Sequence, residues 1–141
     1  MKILRTRVHE TPDRSARSAV ATVELSIVLP VLLALVVGIV ESCNLIYIKQ
    51  SLTISAYEGA RAAIVKDMPL SSIDARSNQV LADRKITNAT ILVTPSSPSS
   101  ASYGTYITVR LQAPYAANSL IPGWWFGGVT LQSSVKMMKE Y

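Results

Sequence analysis

Two carboxylates interrupt the most apolar part of this 141-residue chain. Glu24 stands beside Pro30 in VATVELSIVLP, residues 20–30, and Glu41 follows the uncharged run LSIVLPVLLALVVGIV, Leu25–Val40. A charged side chain at mid-bilayer costs roughly 2.5–3.5 kcal/mol on insertion scales, so a residue of this kind marks function unless it reaches water at the interface. For Glu24 the residues alone leave both readings open.

Other chemistry is hard to assemble. The single histidine, His9, lies in the basic head of the chain, and the single cysteine, Cys43, lies at the end of the apolar run. No nucleophile, histidine and acid fall together on one side of a membrane. Metal-ligand spacing and a phosphate-binding glycine loop are both missing. Glu58 and Arg61, three residues apart, read as a solvated helical ion pair rather than a site. The chain is therefore read as a non-enzyme with no cofactor, metal or small-molecule substrate. Cys43 cannot form an intramolecular disulfide and reads as a small packing residue.

These residues need a long helix to carry them. Leu25–Val40 alone covers about 24 Å, slightly short of a ~30 Å hydrocarbon core. Extension to Val20 and Ile48 makes it long enough, provided Glu24 and Glu41 lie near the interfaces or have partners. A cleavable secretory signal would fit the basic head, but no small-x-small pair follows Gly38 and the chain continues in helical register. Residues 1–19 carry five basic and two acidic groups. That bias predicts a cytoplasmic N-terminus and a translocated remainder, and it accounts for the pI of 9.6 without nucleic acid as a partner.

Apolar content then changes period. Leu45, Ile48, Leu52, Ala56, Gly59 and Ala63 form a stripe at three- and four-residue spacing, as in a helix packed on one side. The expectation is one helix over 20–65, about 69 Å long, spanning the membrane over about 22–46 and amphipathic beyond. Asp67-Met68-Pro69 should end it. Ser71 and Ser72 are candidate caps for a shorter helix to about Lys85. Residues 88–95, 106–114 and 129–138 alternate as strands, with Ile107, Val109, Leu111, Ala113, Val129, Leu131, Val135 and Met137 facing inward. Three strands cannot bury one face alone, so the sheet should pack on the outer half of the long helix through Leu52, Ala56, Ala63, Val109, Leu111 and Val135. PSSPSSASYGT, residues 95–105, reads as a flexible loop.

The fold class is α+β. A disordered basic leader, 1–19, is followed by the long helix, 20–65, and a small extracytoplasmic domain, 66–141, with a short helix and a three-stranded antiparallel sheet. In that domain GWWFGG, residues 123–128, is the unusual feature. Trp124, Trp125 and Phe126 can plug the sheet, lie in the membrane interface or contact a neighbouring subunit.

The ordered set Arg17, Ala19, Glu24, Val28-Leu29-Pro30, Glu41 and Glu58-Gly59-Ala60-Arg61, within residues 19–61, resembles the TadE-like minor pseudopilins of tight-adherence (Flp-type) pilus systems. A strand running into Ala113-Pro114-Tyr115 and an end in Met137-Met138-Lys139-Glu140 are weaker similarities. The resemblance implies an inner-membrane prepilin-like subunit, whose partners are the bilayer, other pilin subunits with the assembly machinery, and a prepilin peptidase cutting between Ala19 and Val20. It implies that Glu24 neutralises the new N-terminal amine of a neighbouring subunit, and that Pro30 and Glu41 serve the same packing. Pro30 would loosen the helix at Ser26. Ala19 departs from the glycine usual before the cut. The alternative is an uncut, single-pass membrane-anchored binding or adhesion protein.

Overall fold

The computed structural model describes residues 14–121 and 127–140, with side chains from Arg17 onward. His9, Trp124, Trp125 and Phe126 lie outside the described residues. The chain divides into two compact units, Met1–Ile39 and Val40–Tyr141.

Helix α1 (Arg14–Ala63) runs 50 residues through both. It starts six residues earlier than expected, so Arg14–Ala19 of the leader is helical. The cause is local: RSARSA is made of fair to good helix formers and contains no proline or glycine. Nor does Pro30 break the helix, as α1 continues through it. The ring removes the donor that Ser26 carbonyl would otherwise accept, but the turns on either side hold.

In the first unit α1 is the described element, and its apolar side chains from Val20 to Ile39 are largely exposed. The hydroxyls there are satisfied along the helix itself. Thr22 Oγ1 donates to Ser18 carbonyl (2.9 Å) and Ser26 Oγ to Thr22 carbonyl (2.8 Å). Such back-bonding is what a hydroxyl needs where water is missing. Among the described residues, α1 is the one helix long and apolar enough to cross a membrane, which fits a single-pass membrane protein.

The second unit has the hydrophobic core. From α1 come Ile48, Leu52, Ala56, Ala60 and Ala63; from α2 (Leu70–Asp83), Ile73 and Leu81; from β2 (Tyr106–Pro114), Ile107, Val109, Leu111 and Ala113. Strand β1 (Thr90–Thr94) and strand β3 (Thr130–Met138) flank β2 in an antiparallel sheet of order β1-β2-β3. Register aligns Val93, Val109 and Val135 in one row across it. Leu131 is buried, while Val135 and Met137 are half-buried at the periphery. Val129 is exposed, contrary to its expected inward position. The ladder ends at the Pro114–Thr130 pair, so the alternation of β3 does not extend to Val129.

Helix α2 begins at Leu70, and Ser71 and Ser72 are not its caps. Pro69 takes the N-cap position in an extended conformation without a side-chain bond, and its carbonyl accepts from Ser72 (3.0 Å) and Ile73 (3.4 Å). The other end closes with the bonds Ile86 N–H to Leu81 carbonyl (2.9 Å) and Lys85 N–H to Ala82 carbonyl (3.0 Å), with Lys85 at φ 56°. This is a Schellman closure, in which Ile86 also packs back into the core.

The two helices approach closely. Ser55 Oγ donates to Ser77 carbonyl (2.8 Å) and Ser77 Oγ to Ser55 carbonyl (3.3 Å), both buried. Gly59, one turn on, makes the approach possible. A Cβ there would stand 3.3 Å from Val109 Cγ1, and nearer to Ser77 Oγ than the 3.0 Å that real Cβ atoms respect.

The Ser/Pro loop is not loose. Lys139 is buried, and its Nζ donates to the carbonyls of Pro98 (2.8 Å) and Ser99 (3.0 Å). Its backbone pairs with Gly104 and Thr105. A buried ammonium requires acceptors of this kind, and they fix residues 98–105 against the end of β3.

Candidate subunit-assembly site

The N-terminal part of α1 carries Ala19, Val20, Glu24 and Pro30, all exposed. Val20 and Glu24 are four residues apart and therefore share a face. Arg17, Val20, Ala21 and Glu24 line one shallow cleft on it. Among the described residues no hydrogen bond or ion pair reaches the Glu24 carboxylate. Within the described residues it stands on an apolar helix, open to a group from outside the chain.

Glu41 is in a different situation. It is 6 % exposed, and its carboxylate is held inside the second unit. Ile121 N–H donates to Oε1 (2.8 Å), and the Tyr115 hydroxyl donates to Oε2 and to the Glu41 backbone carbonyl. A buried carboxylate is tolerated when donors replace its water, and here the donors come from the segment after β2. Burial raises the pKa of Tyr115 above the ordinary 10.0, and the hydrogen bond to Glu41 raises it further. The phenol is thereby kept as the donor. One turn along, Asn44 Nδ2 donates to Asn118 carbonyl (2.9 Å). Asn118 in turn ties Thr87 and Pro114, through Thr87 N–H to its Oδ1 (2.7 Å) and its Nδ2 to the carbonyls of Thr87 (3.0 Å) and Pro114 (3.1 Å).

Glu24 and Pro30 thus belong to the first unit and Glu41 to the second. Glu24 and Pro30 lie on the exposed helix, and Glu41 is an internal anchor. Glu58 and Arg61 form no ion pair among the described residues; they line an open cleft with Ala62, Val65, Met68 and Arg76. Cys43 is exposed rather than packed. Sequence reasoning did not single out Tyr115, Asn118, Ser77 or Lys139 as partners. The signals were there in part, since Tyr115 ends Ala-Pro-Tyr and Lys139 lies in Met-Met-Lys-Glu.

No curated protein and no solved structure matches the chain. The family model described as TadE-like protein does match, over residues 19–61, a stretch that contains Glu24, Glu41 and Gly59.

Proposed function

We propose that the chain is a minor pseudopilin-like membrane subunit that takes part in assembly of a tight-adherence type pilus. The TadE-like match over residues 19–61 carries this reading, because it covers the exposed apolar helix with Glu24, whose carboxylate has no partner among the described residues. In this account the basic head stays in the cytoplasm of the inner membrane and the second unit lies outside, with the domain boundaries near residues 20 and 66. A prepilin peptidase cuts between Ala19 and Val20. The new α-amine then lies about 6 Å along the helix axis from Glu24. Packing beside another subunit lets the Glu24 carboxylate meet that subunit's ammonium. Paired, both charges become tolerable away from water, and one axial offset between helices is selected. Pro30 frees a backbone carbonyl on the same exposed stretch. Trp124, Trp125 and Phe126 remain a proposed partner patch.

One observation favours a second reading: α1 is unbroken across Ala19 and Val20, so the junction is helical in the uncut chain. An uncut, membrane-anchored binding or adhesion protein would keep that helix whole. The mass of the chain extracted from cells with an active prepilin peptidase separates the two. We expect a chain starting at Val20, and Ala19→Arg should restore the full 141 residues. An intact parent chain in such cells would overturn the processed-subunit reading.

A further inference from the structure

The segment Tyr115–Ile121, YAANSLI, contains no charged residue and is fastened to α1 at two positions one turn apart. Ile121 N–H donates to the Glu41 carboxylate (2.8 Å), and Asn44 donates to Asn118 carbonyl (2.9 Å). Its start is fastened too, through Tyr115 N–H to Val129 carbonyl (2.8 Å) and the Tyr115 hydroxyl to Glu41. Its far end nevertheless shows apolar side chains to the outside: Leu120 is 62 % exposed and Ile121 37 %. Val40, next to Glu41, and Val129 are exposed as well.

The level at which this apolar edge is held is given by Glu41. That residue directly follows the sixteen uncharged residues Leu25–Val40, near the outer end of the span expected over about 22–46. Hydrogen bonds to residues 41 and 44 hold the strap at the same level. An uncharged segment with aliphatic side chains outward is suited to the headgroup–acyl boundary, where apolar side chains gain burial.

We propose that Leu120 and Ile121 form a lipid-contacting edge that rests in the bilayer interface beside Glu41 and so fixes the second unit against the membrane. This rests on the membrane-anchored reading of α1. Its test uses the full chain in vesicles of phosphatidylcholine and phosphatidylglycerol. In a Cys43→Ser background, an environment-sensitive fluorophore is attached at Leu120→Cys, at Leu33→Cys within the apolar run, or at Tyr103→Cys, which is exposed near the Lys139 end of the sheet. Lipids carry nitroxide quenchers at the headgroup or deep in the acyl chain. The expected result is loss of fluorescence at position 33 with the deep quencher, at 120 with the shallow quencher, and at 103 with neither. Quenching at 33 with none at 120 would overturn the lipid edge and leave the anchor standing. If the label at 120 is shielded from lipid quenchers and its emission changes with protein-to-lipid ratio, a second copy covers the edge and the proposal is wrong. No quenching at 33 would remove the anchor, and the proposal with it.

Discussion

Gly59→Ala should destabilise the second unit, although alanine is the better helix former. The added methyl meets Val109 Cγ1 at 3.3 Å and overlaps Ser77 Oγ. Val109 is buried at the centre of the three-strand row, so it cannot withdraw. Relief requires the Ser77 hydroxyl to rotate away, breaking its bond to the Ser55 carbonyl in a buried place. Overpacking of this kind costs about 1–3 kcal/mol, and the hydroxyl left without a partner adds about 1 kcal/mol or more. Against these stands a helix-propensity gain of about 1 kcal/mol. The net expectation is a loss of about 1–3 kcal/mol on these terms. Ser77→Ala removes the overlapping atom, leaving Ser77 Cβ at an ordinary 3.7 Å. The double variant should then be more stable than the sum of the single changes by about 1–2 kcal/mol. Urea-dependent proteolysis of the full chain in detergent would measure all four corners of the cycle. A Gly59→Ala chain as resistant as the parent, or additive effects, would refute the close-approach argument.

Two further outcomes follow from the same core and its anchor. Val109→Asp places an unpaired carboxylate in the fully buried row and should make the second unit protease-sensitive, while carbonate-resistant membrane insertion through the apolar run persists; equal protease resistance would show that Val109 is not central. In an alkaline titration followed by phenolate absorbance, Tyr115 should ionise late, above the ordinary tyrosine value of 10.0. Its folded pKa is raised, so its contribution to stability is complete below pH 10.0 and is lost as pH rises through the folded value. Tyr115→Phe should abolish the late phase and lower stability near neutral pH by about 1–3 kcal/mol, through the donor lost to Glu41; an unchanged titration curve would contradict the anchor.

How far the sequence could be read depended on the range of each interaction. The stripe Ile48, Leu52, Ala56 and Ala63 and the alternation Ile107, Val109, Leu111 and Ala113 were legible because burial of one face imposes its period on neighbouring residues. Glu24 was legible as an anomaly, a charge inside an apolar run. Helix ends were harder. Ser71 and Ser72 had the chemistry of caps, but Pro69 already supplied the extended backbone, and RSARSA carried helix propensity that its charge concealed. Glu41 and Tyr115 are 74 positions apart, and Ser55 and Ser77 meet across two helices. No local pattern announces pairs of that kind. The same holds for Lys139, whose acceptors in the Ser/Pro loop are backbone carbonyls and leave no mark in side-chain composition.

The proposed pairing of Glu24 with a neighbour's N-terminus can be tested directly by zero-length carbodiimide cross-linking in membranes of cells that assemble a tight-adherence type pilus. A helical side chain leans toward the N-terminus, so Glu24 is also within reach of the amine of its own chain, and the measurement must tell the two apart. The account predicts an amide between the Glu24 carboxyl and the N-terminal amine of another subunit, seen as a larger species on a denaturing gel, identified by mass spectrometry of the joined peptides and lost in Glu24→Gln. An amide confined to the chain's own N-terminus, or no amide at Glu24 in a chain cut at Val20, would contradict it.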